Sequence, residues 1–226
     1  NSITSIDGIG HMKNTKFKVY SEVMKNFLIH KFHLRDCNIE VMPCESEPWA
    51  WKNDGVIEIP NTITYIDKNT FKGRSDIRSV IMRNGMLTIG DKAFYDFKNL
   101  REVELPDSVE YIGNGAFSGC ISLASVILPN SLRCVSHNAF SDCANLERLI
   151  IPNGIINIGL TSFYGCNNLK EVTIPASVLS IEDSAFGISK PNICARKFYV
   201  PCDAMKRYLI QYHSIDKDSA QCEVYD

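Results

Sequence analysis

One pattern of apolar and polar positions recurs along most of the chain and predicts a short β-strand in each copy. It is clearest in NLREVELPDSVEYIGNGAFSGC, residues 99–120. Side chains alternate along a strand, so Val103 and Leu105 point to one side and Glu104 points to the other. The proline that follows has no N–H to donate and ends the strand. The pattern therefore predicts one core-facing β-segment in each unit, followed by a turn.

The unit returns every 23 residues, six times in register, between about Val56 and Ser189. A unit this small cannot bury its own apolar edge, and this problem is solved when coils stack with their strands roughly 4.8 Å apart. We therefore expect a solenoid of short stacked β-strands with turn or 3-10 connections, covered at both ends by atypical capping segments. The phenylalanines that mark the step are Phe71, Phe94, Phe117, Phe140, Phe163 and Phe186. The apolar residues five positions before them are Ile66, Ile89, Ile112, Val135, Ile158 and Ile181.

Composition and charge narrow the classes of partner. The 226 residues are 45% hydrophobic, which is enough to bury a substantial core. The chain has 24 basic and 26 acidic residues and a net charge of −2, so we expect no nucleic-acid partner. Apolar runs such as 149–151 are far shorter than the roughly 20 residues that span a bilayer, so no membrane span is predicted. No signal peptide is visible in the first residues, and the compartment stays open.

The repeat L-x-x-V-x-[IL]-P-x-x-[VI]-x-x-I-x-x-x-[AS]-F-x-x-C resembles the BspA-type leucine-rich repeat over residues 56–189. That family is known mainly from surface proteins of anaerobic gut and mouth bacteria and of some protozoan parasites. The resemblance therefore implies a leucine-rich-repeat solenoid in a cell-surface or secreted protein. The chain departs from the family pattern at a few positions. Arg83 replaces proline, Arg74 and Phe97 replace cysteine, Ser189 stands at another cysteine position, and three extra residues precede Pro201.

The end of the chain is similar to the segment that closes such solenoids. In FYVPCDAMKRYLIQY, residues 198–212, a strand that ends in Val-Pro is followed by a predicted short helix. Asp203 is expected to cap this helix. Its apolar face is formed by residues at i, i+3, i+4 and i+7. These are Met205, Tyr208, Leu209 and Tyr212.

These patterns divide the chain into three regions. Residues 1–55 are interpreted as an N-terminal capping region, 56–197 as the six-coil solenoid and 198–226 as a C-terminal cap. The opening NSITSID aligns with NTITYID at 61–67. The first region is therefore either a degenerate coil of a longer solenoid or a free-standing cap, with a short helix over 20–35.

Three of the nine cysteines occupy one position of successive coils, in AFSGC, AFSDC and SFYGC. These are Cys120, Cys143 and Cys166, whose side chains should point the same way at roughly the 4.8 Å strand spacing. Disulfide Cβ atoms face each other about 3.8 Å apart, and three thiols in a row cannot all pair. We therefore predict a ladder of buried thiols rather than a functional series.

The remaining candidate chemistry is weak. The group His30, His33, Cys37 and Cys44 lies near zinc-ligand spacing without matching an established pattern, so no metal site is predicted. Cys37 with Cys44, or Cys194 with Cys202, could form a disulfide if the protein is extracellular. Ser136 precedes His137 with no orienting acid visible, and no hydrolase, Walker or dinucleotide motif is present. We expect neither enzymatic activity nor a cofactor.

The residue between the two core positions of each main strand points outward, and these residues form a candidate ligand-binding face. Ile127 beside Ile150 would make an apolar spot with a charged margin, as protein interfaces commonly have. The alternative is that β-branched residues favour strands and that single apolar residues on a surface are normal. The candidate face consists of Ile81, Glu104, Ile127, Ile150 and Thr173, with Glu102 and Arg148 in the adjacent row.

Three functional hypotheses follow. The first is a monomeric, non-enzymatic module that binds a partner such as a host matrix or cell-surface protein through this face. The second is a structural spacer in a larger surface protein. The third is a carbohydrate-binding module with Trp49 and Trp51 as its platform, although both tryptophans also fit a strand that covers the first coil.

Overall fold

The chain forms two compact units, residues 1–50 and 51–226. In the first unit, the strands Phe17–Val19 and Ile39–Val41 pair in parallel. The structure, a computed structural model, describes residues 17–19, 39–41, 55–189, 196–212 and 222–225.

Several N-terminal expectations fall outside the described residues. They are the degenerate coil at 1–7, the helix over 20–35, the His30 to Cys44 group, and the tryptophans Trp49 and Trp51. The predicted division of the chain at 55/56 and 197/198 stays a prediction.

The second unit is a parallel β-solenoid, as the 23-residue step predicts. Its longer strands pair in parallel as a three-stranded and a four-stranded sheet. Val80 pairs with Ile57 on one side and Val103 on the other, each one repeat away. We call the outward surface of these strands the long-strand face. The strands are Val56–Ile59, Ser79–Met82, Glu102–Glu104, Arg148–Ile150, Glu171–Thr173, Lys197–Val200 and Cys222–Val224.

A second row of two-residue strands follows the turn after each proline position. These strands form two three-stranded parallel sheets, and their second residue is always buried. Their outward surface is the short-strand face. The strands are Tyr65–Ile66, Thr88–Ile89, Tyr111–Ile112, Cys134–Val135, Asn157–Ile158 and Ser180–Ile181.

The six repeat phenylalanines form a continuous stack in the core. Neighbouring ring centroids lie 5.1 to 5.6 Å apart with interplanar angles of 3 to 21°. Phe198 ends the stack, because its ring meets Phe186 edge-on at 5.5 Å. Phe97, at a cysteine position, packs edge-on against Phe94 at 5.6 Å. Each coil is therefore held to its neighbours by aromatic contacts as well as by strand pairing.

The chain turns at a corner just after each phenylalanine. Gly119 has a φ of 78°, and the equivalent residue one coil later, Asp142, has a φ of 57°. Glycine adopts this left-handed conformation without steric cost, and aspartate tolerates it better than most residues. The turn predicted from AFSGC is therefore confirmed, and the same conformation explains the variant AFSDC.

The long-strand row is interrupted at the coil that contains Ile127. Segment 125–127 is not a strand, although its sequence predicts one. The sheet therefore divides between Glu102–Glu104 and Arg148–Ile150. The repeat step nevertheless continues in register through this coil, since Phe117 stacks on Phe140 at 5.1 Å.

The C-terminal end of the solenoid is closed by a strand and a buried arginine. Lys197–Val200 pairs with Glu171–Thr173, so the ladder survives the three extra residues before Pro201. Arg196 is buried, and its guanidinium donates three hydrogen bonds of 2.6 to 2.9 Å to backbone carbonyls. The acceptors belong to Cys166, Leu169 and Phe186.

The predicted closing helix spans Asp203–Tyr212. Leu209 is fully buried, Met205 and Tyr208 are half-buried, and the side chain of Tyr212 lies outside the description. The Tyr208 hydroxyl donates to the Ile181 carbonyl at 3.1 Å, which ties the helix to the last short strand.

The cap of this helix differs from the prediction. The Cys202 carbonyl accepts the first helical hydrogen bond, from the Lys206 N–H at 3.1 Å. Cys202 is therefore the N-cap residue, and Asp203 lies in the first turn, where a negative charge is favourable near the helix N-terminus. In the part of the chain that the structure describes, no helix is long and apolar enough to cross a bilayer.

Candidate protein-interaction surface

The structure places two pairs of the candidate residues on the long-strand face. Ile81 lies opposite Glu104 in paired strands, and Ile150 lies opposite Thr173. Ile127 occupies the equivalent position in the coil between these two pairs. Ile127 is 83% exposed and Ile150 is 69% exposed, whereas Ile81 and Thr173 are half-buried. The two exposed isoleucines are referred to below as the isoleucine pair.

Charged residues flank the isoleucine pair asymmetrically. On its C-terminal side, Arg148 Nε lies 3.3 Å from Glu171 Oε2, so these two charges neutralise each other. On its N-terminal side, Glu102 and Glu104 are exposed and make no ion pair with a described residue. The surface thus has an apolar centre with a neutral margin on one side and an acidic margin on the other.

The interruption of the sheet lies at this surface. The inward residue of the interrupted segment, Val126, is 7% exposed, and its equivalent one coil earlier, Val103, is 8% exposed. The equivalent residues Val80 and Val172 are fully buried. Val103 and Val126 are therefore slightly less buried than Val80 and Val172.

Sequence reasoning missed one member of the outward row. Tyr199 pairs with Thr173 and is half-buried, so it continues the row into the strand Lys197–Val200. The signal was the Val-Pro at 200–201, which aligns with the Ile-Pro at 174–175 and places Tyr199 at the outward position. The three extra residues before Pro201 obscured this alignment.

The three repeat cysteines form the buried ladder that the sequence predicts. All three are fully buried free thiols, and each donates to the carbonyl of the phenylalanine of the preceding coil at 3.2 to 3.3 Å. Burial raises the pKa of Cys120 to about 12 and also raises the pKa of Cys143. A protonated, enclosed thiol is neither a nucleophile nor a ready metal ligand. Cys202 is an exposed free thiol, and its suggested partner Cys194 lies outside the described residues.

His137 does have an acidic neighbour, which the sequence did not indicate. Its Nε2 lies 3.1 Å from Glu182 Oε2, two coils away along the chain. The Asn157 amide also donates to Glu182 at 2.9 Å, and this hydrogen bond is the main cause of the lowered pKa of Glu182. The Ser136 hydroxyl is buried and donates to the Ile112 carbonyl, so it is not aligned with His137 for nucleophilic attack.

A second apolar region lies at the C-terminal end of the short-strand face. Leu179 is 80% exposed, and Ile156, its equivalent one coil earlier, is half exposed. Beside them a cavity of about 390 Å³ lies between the last coil and the closing helix, lined in part by Leu179, Met205 and Tyr208. Within the described ranges, no group of three His, Cys, Asp or Glu side chains is arranged to hold a metal ion.

The stacked coils and the phenylalanine ladder define a parallel β-solenoid of the leucine-rich repeat class. The BspA type leucine-rich repeat region matches this chain in six copies, over residues 50–106 and 87–213. The chain therefore belongs to the BspA-type leucine-rich repeat family. Among curated protein sequences, no relative matches it.

Solved structures of bacterial leucine-rich repeat proteins share this fold. The Treponema pallidum leucine-rich repeat protein is 21% identical, with a TM-score of 0.53 over 76% of this chain and 88% of its own. A leucine rich cell surface protein of Faecalibacterium prausnitzii is 22% identical, with a TM-score of 0.56 over 72% of this chain and 50% of its own. The pneumococcal vaccine antigen PcpA is 23% identical, with a TM-score of 0.55 over 83% of this chain and 50% of its own. The chain spans about half the length of the last two, and these identities establish the fold alone.

Proposed function

We propose that this chain is a non-enzymatic protein-binding module and that the long-strand face, centred on the isoleucine pair, is its binding surface. The observation that carries the proposal is the exposure of Ile127 and Ile150 at equivalent positions of neighbouring coils. Single apolar residues on a surface are common, but adjacent aliphatic side chains exposed to this degree favour a contact site. An apolar centre with a charged margin is also the usual composition of a protein interface.

The chain acts as a monomer at the cell surface or after secretion, and its partner is a surface or matrix protein that it adheres to. Family membership supports this placement, since leucine-rich repeat proteins generally serve in protein interaction or at surfaces. One structural relative is itself described as a leucine rich cell surface protein. The repeats form a rigid scaffold, and the specificity lies in the outward residues that differ between coils.

The test is a matched comparison of three proteins against one purified partner, found by an unbiased screen of surface and matrix proteins. The double variant Ile127→Lys, Ile150→Lys places two charges in the isoleucine pair. Leu179→Lys is the control, because Leu179 is an equally exposed aliphatic residue outside the long-strand face. Burial of each isoleucine contributes roughly 1.5–3 kcal/mol, so the double variant should bind at least about tenfold more weakly.

Circular dichroism should show all three proteins equally folded, because the substituted side chains are exposed. Equal affinity of the double variant and the wild type would remove the long-strand face as the binding surface. Loss of binding in the Leu179→Lys control alone would move the site to the closing helix. A screen that returns no partner would favour the structural spacer.

A further inference from the structure

We propose that the partner presents a segment in which aliphatic side chains stand beside a lysine or arginine, with the basic group opposite Glu102 and Glu104. This inference rests on the proposed function, since it names the chemistry that the isoleucine pair and its acidic margin select. The occupant is a basic, aliphatic segment of a protein.

The charge complement of the face carries the inference. Arg83 on this face lies 3.3 Å from Glu58, and Arg148 lies 3.3 Å from Glu171. Lys197, further along, lies 3.8 Å from Glu223. Each of these cations already has a carboxylate partner. Glu102 and Glu104 are exposed carboxylates for which the described residues supply no cation.

Two arginines lie close in sequence to these strands, but they do not pair with the two glutamates. Arg78 and Arg101 precede the strands that carry Ser79 and Glu102, and neither forms an ion pair with Glu102 or Glu104 in the described structure. Glu102 and Glu104 are therefore carboxylates that no cation of the described residues pairs with. A lysine or arginine on the partner would form an ion pair with these carboxylates.

The position of Glu104 strengthens such a contact. Glu104 pairs with Ile81 and precedes Ile127 in the outward row, so aliphatic side chains lie on both sides of it. When a partner covers these side chains, water leaves and the local dielectric constant falls. A carboxylate–cation attraction grows as the dielectric constant falls, and unlike charges facing across an interface also fix its register.

The same two carboxylates disfavour other classes of occupant. Nucleic acids and anionic membrane surfaces carry dense negative charge, which Glu102 and Glu104 repel. An acidic protein segment is disfavoured for the same reason. Carboxylates that no described cation pairs with, next to exposed aliphatic groups, fit a basic, aliphatic polypeptide best.

A phage-displayed library of random twelve-residue peptides is a suitable probe, with the intact chain as bait. We expect the selected peptides to be enriched in lysine or arginine next to isoleucine, leucine or valine. Selected peptides are then titrated against four proteins: the wild type, the double variant Glu102→Gln, Glu104→Gln, the double variant Ile127→Lys, Ile150→Lys, and the control Glu110→Gln. Glu110 is a matched control because it is an exposed glutamate before the short-strand face.

The expected result is that the Glu102→Gln, Glu104→Gln variant binds about fivefold or more weakly at low salt. This difference should shrink as added salt screens the exposed charges. The reversal Glu102→Lys, Glu104→Lys should select acidic peptides instead. Binding to Glu110→Gln should equal binding to the wild type.

The outcomes separate this inference from the proposed function. In one outcome, the selected peptides bind the isoleucine variant weakly but bind both glutamate variants as well as the wild type. That result would overturn the role of Glu102 and Glu104 and would leave the long-strand face as the binding surface. Peptides indifferent to the isoleucine substitutions would overturn the surface itself. A library that yields no peptide dependent on the isoleucine pair, or peptides without basic enrichment, also contradicts the inference.

Discussion

At the scale of single residues, Ser162 is the buried position that fits its coil least well. Its side chain is fully buried, and its hydroxyl has no hydrogen-bond partner in the described structure. The equivalent residue is alanine in four other coils, namely Ala93, Ala116, Ala139 and Ala185. Burying a hydroxyl without a partner costs about 1–3 kcal/mol, and an alanine is already accommodated at this point of the repeat.

We therefore expect Ser162→Ala to raise the free energy of unfolding by about 1 kcal/mol. Urea unfolding followed by circular dichroism measures the change. Ser136→Ala is the control, because the Ser136 hydroxyl donates to the Ile112 carbonyl, and its loss should destabilise the protein. If Ser162→Ala also destabilises, the hydroxyl has a partner and the prediction is wrong.

The buried thiols predict a loss of stability at alkaline pH. The pKa of Cys120 is raised to about 12, well above that of a thiol in an unfolded chain. Above about pH 9 the unfolded chain loses this proton first, so stability is complete below that pH and falls between pH 9 and 12 by about 1.4 kcal/mol per pH unit. Other groups titrate here too, so the measurement is the difference between wild type and Cys120→Ala.

That comparison is made by urea unfolding at pH 7, 9 and 10. The wild type should lose stability more steeply than Cys120→Ala, and parallel curves would show that Cys120 ionises in the folded protein. Alkylation followed by peptide mapping gives a second readout. Cys202 should be labelled in the native protein, and Cys120, Cys143 and Cys166 only after unfolding.

At the scale of the structural element, the last coil depends on Arg196. Inside the solenoid each coil is covered by the next one, but the carbonyls of Cys166, Leu169 and Phe186 receive hydrogen bonds from this one side chain. Burial lowers the pKa of the Arg196 guanidinium, a sign of its desolvation. The three hydrogen bonds offset that penalty, because bonds to a charged group are stronger than neutral ones.

We expect Arg196→Met to lower the free energy of unfolding by about 3 kcal/mol or more. The substitution removes one of the two donors to the Cys166 carbonyl, which keeps the Leu169 N–H, and leaves the Leu169 and Phe186 carbonyls without a donor among the described residues. Hydrogen exchange should become faster first in the last coil and the closing helix. Arg207→Met is the control, because Arg207 is exposed on that helix. An Arg196→Met protein as stable as this control would show that water or another donor replaces the guanidinium.

The elements also show what the sequence could and could not predict. The strands, the phenylalanine stack and the thiol ladder follow from a period that stacking must preserve, so Phe117 and Cys120 could be placed from their spacing alone. The contact of His137 with Glu182 joins residues two coils apart, and it exists only after the coils have stacked. The sheet interruption at 125–127 has no distinguishing residue, since Ser125, Val126 and Ile127 fit the strand pattern.

For the candidate surface, the sequence predicted which residues point outward but not how exposed they are or how their charges pair. Alternation along a strand identified Ile127 and Ile150 as outward residues, because the inward positions were fixed by the repeat. The degree of exposure and the pairing of Arg148 with Glu171 required the packed structure, as did the finding that no described cation pairs with Glu102 or Glu104. Charge neighbours depend on side-chain positions that a period does not determine.

At the scale of the whole molecule, the solenoid is a stack of nearly interchangeable units. Each unit contacts its neighbours, so stability is approximately a sum of unit and interface contributions. A deletion should therefore be tolerated when it removes one complete period and joins equivalent positions. Deletion of 154–176 removes 23 residues and joins Asn153 to Ser177, the residue that follows the same turn one coil later.

We expect this shortened chain to fold, with the same circular dichroism spectrum in shape and a lower midpoint in urea. Phe140 would then stack on Phe186, and the Arg196 guanidinium would meet the carbonyls of Cys143 and Leu146 in place of those of Cys166 and Leu169. The isoleucine pair stays in place, so peptides selected on the wild type should still bind. The loss of one interface accounts for the lower stability.

Deletion of 154–173 is the matched control, since it removes 20 residues and leaves three more in the joined coil. The chain tolerates three extra residues before Pro201, where they precede the strand Lys197–Val200 in the sequence. Here the three residues Ile174, Pro175 and Ala176 would fall in the turn between two strand rows and carry an inward aliphatic residue into it. We expect this protein to unfold at lower urea concentration than the in-register deletion, although it keeps more residues. If the two deletions are equally stable, chain length rather than register governs the solenoid, and the period is not the organising constraint.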